Sequence, residues 1–295
     1  MKDFEKQNNL TIPAAWWKSR PHGKSVNFRI AENKDIPALA KLYTVCFNDE
    51  TAEAEHFLHL FFQNPDSRLL LAEKDETPIS MLAMVPARLA KGEHTFYRCF
   101  YLYGIGTLPA FRSQGLSGTL MSYAKTLASS LSYDYLFLVP ASERLISFYE
   151  KQGFQTMPVA EDKKPLALSR NLSALNPVSP TDSLDSSRFV PIPLTEYLAL
   201  RANLEHTAGV FSLLEPFHIY ALEIIEEQLH FYKDIQTQCG LCFYSNKKEP
   251  PCKLLEQTEP SSLFSGGLLH QIFPLHSHPV PDNTYFQFPM DEISP

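Results

Sequence analysis

The sequence predicts an α/β protein: a mixed β-sheet flanked by helices, followed by a second, smaller α/β unit. Three observations predict it. Apolar strands meander from Arg68 to Thr107 and then give way to an alternation of helices and strands. The apolar spacing changes period beyond Pro109, from that of strands to that of an amphipathic helix. A stretch rich in Ser, Pro, Asp and Asn, Asn171 to Ser187, interrupts the chain and marks a domain boundary.

Each element follows from its residues. Residues 1–24, with Trp16 and Trp17 beside Pro13 and Pro21, hold no sustained period and read as an N-terminal arm. Val26 to Ile30 reads as a strand. Ile36, Leu39, Ala40, Tyr43, Cys46 and Phe47 then follow helical spacing, with Pro37 tolerated because it falls in the first turn. After Asn48-Asp49-Glu50, a second helix puts Ala54, Phe57, Leu58 and Phe61 on one face and stops at Asn64-Pro65. Strands are expected at Arg68 to Lys74, Ile79 to Ala90 and about His94 to Thr107, joined by the reversals at Asp75-Glu76-Thr77-Pro78 and Lys91-Gly92-Glu93. Leu116, Leu120, Ala124, Leu127 and Leu131 form a helical stripe. Tyr135 to Val139 is a short apolar strand, and Glu143 to Gln152 is a helix with Ser142 placed to cap it and Gly153 to end it. Strands after Phe154 and around Pro165 to Ser169 close a unit of residues 25–171, and 172–187 link it to 188–295. In that second unit, helices are expected at Thr195 to Glu205 and through Phe217 to Ile224. Strands are expected at Leu229 to Ile235, Cys239 to Ser245 and Tyr285 to Phe288.

Bulk properties narrow the function. With 295 residues, 44% of them hydrophobic, the chain can bury a large core and is neither a disordered tail nor a disulfide-stapled miniprotein. It offers no 20-residue apolar span and no secretory leader, so a soluble, cytoplasmic protein with no membrane partner is expected; five cysteines, an odd number, fit a reducing compartment. Residues 1–171 hold 20 Lys and Arg against 18 Asp and Glu, but residues 172–295 hold 6 against 15. The second half would repel a phosphate backbone, so no nucleic acid is expected as a partner, whereas a cationic small molecule or peptide would be attracted.

The chemistry concentrates in Gly104 to Gly118, where a strand runs through a short turn into a helix. A helix start presents unpaired N–H groups and the positive end of the helix dipole, and small residues let a pyrophosphate reach them. Gly115, Ser117 and Gly118 are such residues, and Arg112 adds a planar cation. Gly104 and Gly106 within the strand call for a bulge or a close backbone approach. About 30 residues later comes Phe148-Tyr149-Glu150-Lys151-Gln152-Gly153-Phe154. Together, Thr107-Leu108-Pro109, Arg112-Ser113-Gln114-Gly115-Leu116-Ser117 and Tyr149-Glu150-Lys151-Gln152-Gly153-Phe154 resemble the signature of the GNAT superfamily of acyl-CoA N-acyltransferases: Val-x-Pro, Arg/Gln-x-x-Gly-x-Gly/Ala, and Tyr-Glu-Lys-x-Gly-Phe. Ser117 replaces the last small residue of the loop, and Gly118 follows it.

The resemblance covers about residues 25–171 and implies the GNAT fold there, with a second, degenerate GNAT-like α/β domain after it, an arrangement loosely similar to the enhanced-intracellular-survival acetyltransferases. It implies acetyl-CoA as cosubstrate, with the pyrophosphate on the amides of Gln114, Gly115, Leu116, Ser117 and Gly118 beside Arg112 and Ser113, and the pantetheine along Ile105 and Thr107. It implies N-acetylation of a primary amine on a small molecule or peptide, with Tyr149 as the acid for the leaving thiolate. No general base can be named: Phe100-Tyr101-Leu102-Tyr103 holds no carboxylate where relatives often place one, leaving Glu143, Asp49, Glu50 or water. Asp49, Glu50 and Glu53 follow the first helix, where relatives often bind the acceptor. A non-catalytic acyl-CoA sensor or scaffold is an alternative, and transfer from aminoacyl-tRNA a weaker one. No metal is expected: Cys239, Cys242, Cys252, His276 and His278 lack a second Cys-x-x-Cys, and the cysteines read as strand core. The sequence is compatible with a homo-oligomer but does not specify one.

Overall fold

The computed structural model describes residues 26–92, 95–157, 184–201, 211–213, 229–244, 253–257 and 271–279. The expected arm at 1–24, strands at 165–169 and 285–288 and helix at 217–224 lie outside them.

An eight-stranded mixed sheet forms the larger layer. Its order is β1 (Val26–Ile30), β2 (Arg68–Lys74), β3 (Thr77–Gly92), β4 (Thr95–Thr107), β5 (Tyr135–Leu138), β12 (Gln271–Pro274) and β6 (Gln155–Thr156), with β8 (Phe211–Leu213) on the free part of β3. β1 to β4 are an antiparallel meander, and β4 and β5 are parallel. Period-2 alternation sends each strand's residues to two cores. Ala83, Val85, Tyr101, Phe137 and Ile272 meet α1 (Ile36–Phe47) and α2 (Thr51–Gln63) on one face. Leu82, Met84, Phe100, Leu136 and Leu138 meet α3 (Leu116–Ser130) and α4 (Glu143–Lys151) on the other. The helices and strands expected from Val26 to Thr156 therefore form where their spacing placed them. Asn48 ends α1 in the left-handed region at φ 65°, and Gly153 does the same after α4 at φ 87°. Ser142 precedes α4, but its side chain makes no capping bond; its carbonyl accepts from Leu145 N–H instead.

The boundary expected at 188 does not hold for two strands. β12 lies between β5 and β6, antiparallel to both, and β8 pairs with Ala87 to Leu89 of β3. The reason is edge pairing: with β5 covered on the β4 side only, its other row of N–H and C=O groups needs a partner, and the C-terminal segment supplies it. Further contacts hold that segment. Leu275 N–H donates to the Asp134 carbonyl, His278 pairs with the Asp134 carboxylate at 2.9 Å, and the Tyr135 hydroxyl donates to the Pro279 carbonyl. Lys125 donates to the Gln152 carbonyl at the end of α4, and its ammonium lies 4.2 Å from the centre of the Phe273 ring on β12.

The smaller layer is a four-stranded antiparallel sheet, β11 (Lys253–Gln257), β10 (Gly240–Tyr244), β9 (Leu229–Asp234) and β7 (Phe189–Pro191), against which α5 (Leu194–Arg201) packs. Cys242 is buried in β10, as read from the sequence. Asp234 closes the β9–β10 turn, accepting from the Arg188 guanidinium at 2.6 Å and from the backbone N–H of Gln236 and Thr237. The Arg188 side chain above all holds its carboxyl down, from 3.8 to about 2. A depressed carboxyl stabilises the fold above its unfolded value and loses that contribution as pH falls through the folded one. Acid-unfolding curves of the wild type and Asp234→Asn are therefore expected to differ near neutrality and to converge between about pH 4 and pH 2.

Candidate active site

Two devices open a cleft on the α3/α4 face. The first is in β4. Met81 pairs with Gly106 and Ala83 with Tyr103, so Gly104 and Ile105 together stand opposite Leu82 alone. This is a bulge, and Gly104 takes the left-handed conformation at φ 56°. A Cβ on Gly106 would lie 3.0 Å from the Cβ and Sγ of Cys46 and 3.3 Å from the Phe47 ring. The two glycines thus let β4 bend and let α1 sit directly on it. The second device is the parting of β4 from β5, which pair only from Cys99 to Tyr101 against Tyr135 to Phe137. Beyond Tyr101 the ladder between the two strands stops.

The turn after β4 presents main-chain donors. Arg112 is extended, Ser113 has φ 63°, and Gly115 precedes α3 with φ 77°, so the chain curls before the helix begins at Leu116. Its position is fixed by a chain of hydroxyls: Ser80 Oγ donates to the Gly106 carbonyl and lies 2.7 Å from Thr107 Oγ1, which lies 2.9 Å from Ser117 Oγ. Arg112 Nε donates to the Thr107 carbonyl, which folds the guanidinium over the strand end. Gln114 is exposed, its amide reaching back to the Ala110 carbonyl.

These parts enclose one cavity of about 380 Å³, within the range usual for small-molecule clefts. Ile105, Thr107, Arg112, Ser113, Gly115, Leu116, Ser117, Gly118 and Tyr149 line it. Of the residues named from the sequence for the coenzyme and for the acid, Gln114 alone is absent from the lining, and the acidic candidates Asp49, Glu50, Glu53 and Glu143 are absent as well. Phe111, Leu145 and Phe148 also line it and were missed, because Leu145, Phe148 and Tyr149 repeat at helical spacing and read equally well as core. Arg112 is the sole charged residue on the wall among the described residues. Tyr149 is only 6% exposed, its ring edge-on to those of Phe148 and Phe154, and burial pushes its phenol up to about 12. It stays protonated throughout the neutral range, which suits a proton or hydrogen-bond donor.

The other face of β4 carries no carboxylate. Tyr101 and Tyr103 stand there with Phe57, and the Tyr43 hydroxyl donates to that of Tyr103 at 3.3 Å. Asp49, Glu50 and Glu143 are exposed. Among the described residues no three His, Cys, Asp or Glu side chains cluster as metal ligands, and no helix is long and apolar enough to cross a membrane.

A bulged strand parted from a parallel neighbour, with a helix-start cradle at the parting, defines the GNAT fold. Residues 36–154 match the model of the acetyltransferase (GNAT) family, and this part of the chain is a GNAT domain. No curated protein sequence matches the chain significantly. Among solved structures, a GCN5-related N-acetyltransferase from Anabaena variabilis is similar over 81% of this chain and 61% of its own, with 14% identity and a TM-score of 0.58. One from Kribbella flavida is similar over 84% and 72%, with 10% identity and a TM-score of 0.54. Eis1 from Mycobacterium abscessus is similar over 74% and 53%, with 13% identity and a TM-score of 0.50. The shared fold thus extends beyond the matched segment, while the chain spans only about three-fifths of the Anabaena protein's length.

Proposed function

We propose that this protein is an acyl-CoA-dependent N-acyltransferase that moves an acetyl group from acetyl-CoA to a primary amine of a small molecule or peptide. One observation supports the reading: the curled main chain after β4, Arg112 and the largely buried Tyr149 all line the same cavity. In this reading the diphosphate rests on the amides of residues 114–118, and the pantetheine follows β4 at Ile105 and Thr107. The amine, as free base, attacks the thioester carbonyl; the tetrahedral intermediate collapses, the C–S bond breaks, and the amine's extra proton passes to water or an unassigned base. A phenol near 12 is a weaker acid than a thiol near 8.5, so outright proton transfer to the thiolate is uphill. Donation of a hydrogen bond as the C–S bond breaks is the part of the acid role that this environment favours.

Tyr149→Phe is expected to lower kcat about a hundredfold and to leave the coenzyme A dissociation constant within twofold. Thiol release from acetyl-CoA over a panel of amines, with calorimetry on the same samples, checks both. An unchanged kcat would remove Tyr149 from the mechanism.

The tyrosines standing on β4 where a carboxylate would serve as base favour a second reading, an acyl-CoA-binding module without turnover. Binding of coenzyme A with no thiol release for any amine would select it. We further infer that the acidic C-terminal unit, with Asp49, Glu50 and Glu53, draws a cationic acceptor to the cleft. The four-stranded sheet is read as a degenerate companion of the first domain, since residues 172–295 hold no second Arg-x-x-Gly-x-Gly. The free thiols of Cys46, Cys99 and Cys239 fit a reducing, cytoplasmic setting.

A further inference from the structure

Gln271, the first residue of β12, is wholly buried. Its side-chain nitrogen donates to the Ile146 carbonyl at 3.3 Å and to Thr156 Oγ1 at 2.8 Å, and Thr156 Oγ1 in turn donates to Glu150 Oε1 at 2.9 Å. Ile146 and Glu150 lie one turn apart on the same side of α4, three residues before Tyr149 and one after it. Two anchors spaced one turn apart on one side of a helix fix both its height and its rotation about its own axis. We propose that Gln271 is a positioning residue: a C-terminal strand that closes the GNAT sheet also sets the rotation of the helix carrying Tyr149, and so aims the phenol into the cleft.

The chemistry of the amide supports this. Gln271 Oε1 has no hydrogen-bond partner although it is buried. A buried acceptor left unpaired works against stability, so an apolar side chain of the same length would serve folding at least as well. What glutamine alone supplies is a nitrogen that donates twice, and both of its bonds lead to α4. Nearby contacts brace the same helix from the same strand. Phe273 packs against Gly153, where a Cβ would come within 3.2 Å of its ring, and Lys125 joins that ring to the Gln152 carbonyl. The Gln271 side chain donates to Ile146 and Thr156, neither of which lines the cavity, so its influence on the reaction passes through the helix.

The catalytic half of the inference rests on the role of Tyr149 above; the positional half does not. Gln271→Met keeps the length and removes the donors. In the full chain, with 3-fluorotyrosine placed at position 149, this substitution is expected to move or broaden the fluorine resonance while the melting temperature stays within a few degrees. It is also expected to lower kcat about tenfold, to leave the coenzyme A dissociation constant unchanged, and to cause no further fall in a Tyr149→Phe background. An unmoved resonance overturns the proposal, as does an equal loss of kcat with and without the phenol. If Tyr149→Phe alone leaves kcat intact, the acid role fails, and the fluorine signal still decides the positioning. Thr156→Val, which cuts the arm to Glu150 on an edge strand, gives the same readout should Gln271→Met not fold.

Discussion

Gly115→Val is expected to abolish measurable binding of coenzyme A while leaving the protein folded. Gly115 adopts φ 77° just before α3, a conformation that a β-branched residue enters only with strain. Valine would relax the turn toward ordinary backbone angles and reorient the amides of residues 114–118. Its side chain would also stand in the cleft. Losing two charge-assisted bonds, at roughly 1.5–3 kcal/mol each, weakens binding by about two to four powers of ten. Arg112→Ala, which removes the cation and leaves the main chain alone, is expected to cost about tenfold. Calorimetry with pure coenzyme A measures both, and a retained melting transition shows that the loss is local. Near-wild-type affinity in Gly115→Val would refute the cradle, whereas no binding of coenzyme A by the wild type would overturn the assignment of the cosubstrate.

Ile272→Asp should prevent the first domain from folding. Ile272 has no exposed surface, faces Phe137 and Gln155 across two ladders, and packs in the α1/α2 core. An unpaired carboxylate there costs several kcal/mol even after it takes up a proton, and the lost isobutyl-sized group adds to that. The sum reaches the whole stability of a typical domain, about 5–15 kcal/mol. Far-UV circular dichroism and the soluble yield at 37 °C test it. A cooperative transition close to that of the wild type would mean that β12 is not an integral strand.

Local pattern carried most of the GNAT domain. α1, α2, α3 and α4 each present an apolar stripe at helical spacing, and β2 begins and ends at the residues its composition marks. The cradle was legible because a helix start needs small residues in a fixed order. Three things were not legible. The partner of Gln271 to Pro274 is chosen by an open sheet edge more than a hundred residues away, and four residues of sequence carry no record of that edge. Leu145 and Phe148 look like core residues because a cavity wall and a core demand the same side chains. Gln271 reads as an ordinary polar residue until its neighbours are known. The missing carboxylate on β4, by contrast, was plain from Phe100-Tyr101-Leu102-Tyr103, and the structure places tyrosine hydroxyls there.

The late arrival of β12 bears on how the protein is made. Gln271 follows Ile146 by 125 residues. A ribosome adding about 5–20 residues per second needs roughly 6–25 s to cover that distance. Throughout this interval the nascent GNAT domain holds Tyr135 and Phe137 beside an unpaired strand edge, the kind of surface that invites pairing with other chains. Synthesis, and not only the finished fold, therefore depends on a stretch during which the emerging chain is shielded.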